Sequence, residues 1–329
     1  MTSEDKKLVS IIIPFHDEDR DQLEIVLSSI NIQIGIDFNQ IEVILISDGG
    51  TELDEEDMFP ELKNLNIQYY RYQESKGAGF ARQVGMEMAN GKYYMFIDAD
   101  DELHFVGALL EYFNVIKYHG DHQVIIGKYL EQSHNASGEK RYYTHQNNDW
   151  KSIMAKWFNA AYVDTIGLQW KDDLRIFEDT YFVGIACELA TDIYHLDTIT
   201  YMWLDNPNST VRKDNRSFKH QAHVWAKSNR YYFETIRKQH PVTLVGDFTS
   251  YMADLYFRNL MYKPADEEAF EKEQTKLLLE NRDLFEKNED KITLIAKSFS
   301  EGKYSKIPFS GFDSFLADQR ALLAKVLIK

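Results

Sequence analysis

Residues 8–14 (LVSIIIP) are apolar at nearly every position and end on a proline, the pattern of a strand covered on both faces in a parallel sheet. Residues 41–46 (IEVILI) repeat the pattern and stop at Ser47, Asp48, Gly49 and Gly50. Residues 67–71 and 93–97 supply a third and a fourth such run. Between them the apolar positions move to helical spacing. Leu23, Val26, Leu27, Ile30 and Ile34 mark a helix within 19–34, and Phe80, Val84 and Met88 mark another within 77–90, closed by Gly91. The acidic stretch 51–66 is compatible with a further helix. Alternation of strand and helix predicts an α/β fold, Rossmann-like, with a mostly parallel sheet flanked by helices. In such sheets ligands bind beyond the carboxyl ends of the strands. Pro14-Phe15-His16-Asp17, Ser47-Asp48-Gly49 and Asp98-Ala99-Asp100-Asp101 each follow a predicted strand, so these polar clusters are expected to meet at one edge.

The later pattern predicts a helix over 103–118, a strand over 123–130 and a hairpin or loop over 131–148. A helix over 152–166 then leads to Phe177-Glu178-Asp179. From about 217 onward β-branched runs become scarce, and aromatic and charged residues recur at helical spacing. Pro264, Ala265, Asp266, Glu267 and Glu268 read as a helix start, with proline and acids in the first turn. The expected division is a domain over 1–212 and a helical C-terminal region over 213–329. The apolar faces at 277–279 and 321–328 need burial. They would find it on the first domain, in a homo-oligomer interface or at a membrane surface, although only Arg320, Lys325 and Lys329 lend the last segment positive charge.

Composition narrows the partners. Acidic residues outnumber basic ones 53 to 37, a formal net charge of -16, which opposes binding to nucleic acid or anionic lipid. The start of the chain, Met1 to Asp5, lacks the basic-then-apolar profile of a secretion signal, and no apolar run approaches the ~20 residues of a membrane span. Cys187 is the one cysteine and reads as a buried helix residue, which suits a reducing, cytoplasmic setting, with the inner membrane face as a further option.

The chemistry concentrates at Asp98, Asp100 and Asp101. Carboxylates this close repel, and a cation relieves them; Mg²⁺ or Mn²⁺ typically uses one or two carboxylates together with substrate phosphates. A solvated acidic loop capping the next helix would look the same in isolation. The context separates the two readings. Ser10-Ile11-Ile12-Ile13-Pro14, Ile46-Ser47-Asp48-Gly49, Lys76-Gly77-Ala78-Gly79-Phe80-Ala81-Arg82, Ile97-Asp98-Ala99-Asp100-Asp101 and Phe177-Glu178-Asp179-Thr180-Tyr181-Phe182 follow one another in order. The series resembles the family 2 glycosyltransferases over residues 8–212.

That resemblance implies a glycosyltransferase A-type fold and inverting transfer of a hexose or N-acetylhexosamine. The donor would be a nucleotide-sugar, expected to be a UDP-sugar, and the acceptor a glycan. It implies Asp179 as the base that deprotonates the acceptor hydroxyl, with Glu178 beside it. It places Pro14, Phe15, His16, Glu18 and Asp48 at the nucleotide, and Lys76, Arg82, Asp98, Ala99 and Arg212 toward the donor phosphates. It assigns Asp98, Asp100 and Asp101 to Mn²⁺ or Mg²⁺. His16, Asp17, Ser47, Gly50 and Gln83 depart from the family pattern, so the base pocket is its least typical part. Trp157, Trp170 and Trp203 are either core residues or platforms for sugar rings. Two other readings compete. A sugar-phosphate nucleotidyltransferase would carry a basic, glycine-rich loop after the first strand, where this chain has Phe15-His16-Asp17-Glu18-Asp19. A non-catalytic nucleotide-sugar or carbohydrate-binding protein would not need the intact acidic positions.

Overall fold

The hydrophobic runs become the centre of one sheet. The computed structural model describes residues 7–54, 58–135, 137–206 and 218–325. β1 (Val9–Phe15) and β2 (Ile41–Asp48) are buried at every position. Parallel pairing sets Phe15 opposite Ser47 and Ile12 opposite Phe96 of β4 (Tyr93–Phe96). β3 (Ile67–Tyr72) lies parallel outside β2. Among the described residues the sheet has nine strands in the order β3-β2-β1-β4-β8-β6-β9-β5, with β7 paired to β6.

Beyond β4 the sheet is mixed. β8 (Lys156–Asn159) runs antiparallel to both β4 and β6 (Val124–His134), whereas β9 (Ile193–Trp203) runs parallel to β6. β7 (Lys140–His145) forms a hairpin with β6, and the short β5 (Glu102–Leu103) pairs with β9. The helix expected over 152–166 is therefore replaced by β8 and the short α4 (Ala160–Thr165). Trp157 and Phe158 face opposite sides of β8 and both find aromatic partners, an alternation that tertiary packing rewards over helical spacing. Likewise the helix expected from 103 begins only at α3 (Ala108–His119), because β5 intervenes. Residues 51–54 are irregular, 58–66 contain bends and turns, and neither stretch contains a helix.

α1 (Arg20–Asn31) starts at a capping box between Asp19 and Gln22. α2 (Ala78–Met88) ends at a cap on Ala89, not at Gly91. It lies so close to β1 that a Cβ on Gly85 would sit 2.4 Å from Ile12. At the far edge of the sheet, buried Glu42 accepts hydrogen bonds from the Ser10 hydroxyl (2.6 Å), Gln68 (2.9 Å) and the Asn90 amide (2.6 Å), so its charge is satisfied. α5 (Glu178–Glu188) covers the same face of the sheet as Phe158, with Trp170, Phe182 and Phe96 in one aromatic cluster. Cys187 on α5 is 1% exposed, as expected of a buried helix residue.

The chain divides into two compact units, Met1–Asn206 and Pro207–Lys329. The second contains α6 (Phe218–Gln239), α7 (Pro241–Met261), α8 (Glu267–Glu280), α9 (Arg282–Glu301) and α10 (Phe312–Lys325). Phe233, Phe248, Met252, Phe257, Leu277, Leu278, Phe285 and Ile292 are its buried core. Asp266 caps α8 through the Ala269 amide, at the helix start the sequence predicts. Among the described residues, no helix is long and apolar enough to cross a membrane.

Candidate active site

At the carboxyl edge of the parallel strands the expected clusters come together. The chain turns after β1 at His16, whose Nδ1 lies 2.7 Å from the Asp48 carbonyl and whose amide donates to Glu18 at 2.8 Å. The turn after β2 passes so close to it that a Cβ on Gly50 would lie 1.7 Å from the His16 carbonyl oxygen, which accounts for glycine there. Pro14 is buried and Phe15 is 3% exposed and packs on Tyr69, so the exposed member of this group is His16.

Asp48 has a role the sequence does not show. Its carboxylate accepts four hydrogen bonds, from the Tyr72 hydroxyl (2.6 Å), the Ser75 hydroxyl (2.8 Å), the Lys76 amide (2.7 Å) and the Gly77 amide (2.8 Å). Buried and with four donors converging on it, it folds the loop that launches α2. Lys76, at the end of that loop, is exposed, with its ammonium 4.3 Å from the Phe80 ring.

Arg82 is likewise committed. It is 3% exposed, donates to Asp98 at 2.7 Å and to Glu178 at 3.0 Å, and stacks over Trp170 at 5.0 Å. Burial works against its charge, but Asp98 and Glu178 outweigh that and hold the guanidinium protonated. It clamps two acidic motifs together, on the carboxylate side of the place the resemblance implies for it. Gly79 permits the clamp: a Cβ there would meet the Glu178 side chain at 3.1 Å.

The acidic turn after β4 is held by β9. Asp101 is 1% exposed; its carboxylate accepts the Tyr201 hydroxyl at 2.6 Å and the Leu204 amide at 2.9 Å, and the Asp98 amide donates to the same Tyr201 oxygen at 3.2 Å. Asp101 is thus an anchor, leaving Asp98 and Asp100 as the carboxylates that reach the edge. Asp100 accepts from Asn206 at 2.8 Å, and burial, followed by the charge of Asp98, pushes its carboxyl above the usual range. Ala99 between them is 4% exposed. Among the described residues no three His, Cys, Asp or Glu side chains form a ready-made ion cage. The His122, His134 and His145 rings pair with Asp192, Asp205 and Glu131 instead.

Glu178 and Asp179 open α5, where acids suit the positive end of the helix. The preceding Phe177 takes a left-handed φ of 62°, a conformation costly for a bulky residue. Burial, then the neighbouring Asp179, push the Glu178 carboxyl up to about 7 against the pull of Arg82. Burial also raises Asp179. One Asp179 oxygen accepts the Thr180 amide at 2.6 Å, and the other has no partner among the described residues. Trp157 and Trp170 are core, at 0% and 5% exposure, and Trp203 is half-buried. Arg212 lies outside the described residues. The anchors Tyr201, Leu204 and Asn206 escape the sequence reading because nothing in their local pattern marks them.

The family description Glycosyl transferase family 2 matches residues 10–170, which contain the β1, β2, α2 and β4 clusters. The chain carries a family 2 glycosyltransferase domain. Among curated relatives, an uncharacterized glycosyltransferase of Rickettsia bellii is 32% identical over 136 residues, 39% of this chain and 19% of that protein. The uncharacterized glycosyltransferase YibD of Escherichia coli K12 is 34% identical over 96 residues, 29% of this chain and 27% of that protein. The teichoic acid poly(glycerol phosphate) polymerase of Staphylococcus epidermidis is 36% identical over 92 residues, 27% of this chain and 12% of that protein. The matched stretches thus span well under two thirds of these relatives' own lengths. The crystal structure of S. aureus TarS 1-349 in complex with UDP-GlcNAc is similar with a TM-score of 0.66 at 16% identity, covering 96% of this chain and 88% of that one. The family 2 domain therefore has the glycosyltransferase A-type fold, with a helical region following it.

Proposed function

We propose that this protein transfers a hexose or N-acetylhexosamine from a UDP-sugar to a hydroxyl of a glycan or related polymer, with inversion and with help from a divalent cation. The observation that carries the reading is the Arg82 clamp, which joins the Asp98 turn to the Glu178–Asp179 pair at one sheet edge. It gives a single place both an acidic phosphate-side turn and a carboxylate with a free oxygen. The family 2 domain and the likeness to TarS in its UDP-GlcNAc complex support it. The polymerase among the relatives supports a polymeric acceptor.

The residues fit a hard cation. Asp98 and Asp100 are oxygen donors side by side, and burial, followed by the charge of Asp98, raises Asp100. Bound there, Mg²⁺ or Mn²⁺ supplies Lewis-acid stabilisation of the leaving diphosphate. The chain's own groups do the rest. Lys76, exposed at the mouth of the α2 loop, adds positive charge for the phosphates. The free Asp179 oxygen takes the acceptor proton as the hydroxyl attacks the anomeric carbon from the face opposite the leaving group, which inverts it. Glu178 and Arg82 fix the direction from which that oxygen approaches. A buried single thiol suits the reducing cytoplasm as the place of action.

The test is thermal stabilisation against a panel of nucleotides and nucleotide-sugars, with and without Mn²⁺. A ligand specific for the folded state adds about 2.7 kcal/mol at 100 times its Kd. Metal-dependent stabilisation by UDP or one UDP-sugar is expected. Stabilisation by another nucleotide alone would overturn the uridine assignment, and silence across the panel would overturn the transferase reading.

A further inference from the structure

The segment 170–177, which leads into α5, runs back along α2 toward the loop that launches that helix. The Trp170 amide donates to Gln83 at 3.1 Å, and a Cβ on Gly79 would stand 3.6 Å from the Lys171 carbonyl oxygen. Closer to the loop, a Cβ on Gly77 would lie 3.4 Å from Cγ of Arg175. The segment ends in a contact with the loop itself: the Arg175 guanidinium donates to the Ser75 carbonyl at 2.7 Å, across 100 residues of sequence. That target is firmly held, because Asp48 accepts the Ser75 hydroxyl at 2.8 Å and the Lys76 and Gly77 amides at 2.7 and 2.8 Å. Arg175 is exposed, and among the described residues no acidic side chain pairs with it, although the chain has a net charge of -16. What fixes this guanidinium is one backbone oxygen, through a charge-assisted hydrogen bond.

Phe177 shows why the segment needs fixing. Its φ of 62° and ψ of 13° are costly for a bulky residue, and such a conformation persists where the surroundings determine it. One residue after it, Glu178 is held by Arg82 at 3.0 Å. Two residues before it, Arg175 is held on Ser75. The strained residue is thus pinned on both sides, each time through an arginine, and Asp179 follows directly on the second pin. Loss of either pin lets Phe177 relax and turns the first residues of α5 with it.

We infer that Arg175 is a positioning residue: docked on the Ser75 carbonyl, it fixes the strained entry to α5, and with it the Glu178–Asp179 pair, against the loop that Asp48 holds. Its consequence for turnover rests on the reading of Asp179 as the base, but the docking itself does not. The test that needs no substrate is amide hydrogen exchange on the parent, Arg175→Ala and Arg175→Lys. Residues 173–180 should exchange about tenfold faster in Arg175→Ala, with α1 and β9 unchanged. Arg175→Lys, which still brings an N–H to one carbonyl, should recover most of the protection. Unchanged exchange in Arg175→Ala would overturn the inference, as would a rise spread evenly over Met1–Asn206, the mark of general destabilisation. With UDP release from UDP-GlcNAc as readout, kcat should fall about tenfold in Arg175→Ala. Donor KM should stay within about twofold, and Arg175→Lys should restore most of kcat. A raised donor KM at parental kcat would make Arg175 a donor ligand and overturn the positioning role. Absence of turnover with every nucleotide-sugar would count against the transferase reading and leave the docking to the exchange result.

Discussion

The Tyr201 hydroxyl donates to Asp101 at 2.6 Å across a separation of 100 residues, and its oxygen accepts the Asp98 amide at 3.2 Å. One phenol thus fastens both ends of the acidic turn to β9. Tyr201→Phe leaves one oxygen of a buried carboxylate without its donor, a loss of about 1–3 kcal/mol. Urea unfolding should report that loss, and metal-dependent nucleotide stabilisation should weaken with it. Unchanged stability would mean that the turn holds itself.

Arg82 balances two acids from inside the protein. Arg82→Met removes the charge and leaves Asp98 and Glu178 partly buried without it, which costs about 3–5 kcal/mol. Arg82→Lys, lacking the planar fork, should recover less than half of the loss. Chemical denaturation of the three proteins decides this, and equal stability of Arg82→Lys and the parent would contradict the two-sided clamp.

Asp48→Asn introduces donor protons where four donors already converge. About 2 kcal/mol of stability should be lost, with nucleotide preference unchanged. A variant of parental stability with altered base preference would show that Asp48 acts on the base and not on the loop.

Glu178 makes the first unit sensitive to pH. In the unfolded chain its carboxyl ionises near the ordinary 4.5, and in the folded protein burial and Asp179 push it up to about 7. Between those values the folded state holds the extra proton, so this group's contribution to stability falls as pH rises through the window and levels off above it. The slope of Tm against pH in that range should be shallower in Glu178→Gln. An identical slope would show that Glu178 is ionised throughout.

Several parts of this molecule are legible in the sequence because a single local signal encodes them. The continuous apolar runs of β1, β2 and β4 need burial on both faces, and the following polar clusters must then emerge at one edge. Asp266 and its acidic neighbours mark α8 in the same way. The second half of the sheet is not legible, because β8 is short, β5 is two residues long and their partners are distant. The site shows the same division. The motifs mark where Asp48, Arg82 and Asp101 sit, but their roles depend on Ser75, Glu178 and Tyr201, partners 27, 96 and 100 residues away. A carboxylate that faces a ligand and one that faces a buried donor read alike in a sequence.

The burial of Cys187 has a practical consequence. It is the one thiol in 329 residues, and its side chain is shut beneath α5 with ionisation suppressed, so maleimide and similar reagents should pass over the native fold. A cysteine placed at an exposed position such as Lys76 would then be the single reactive handle for a fluorophore or spin label, with the parent sequence otherwise intact.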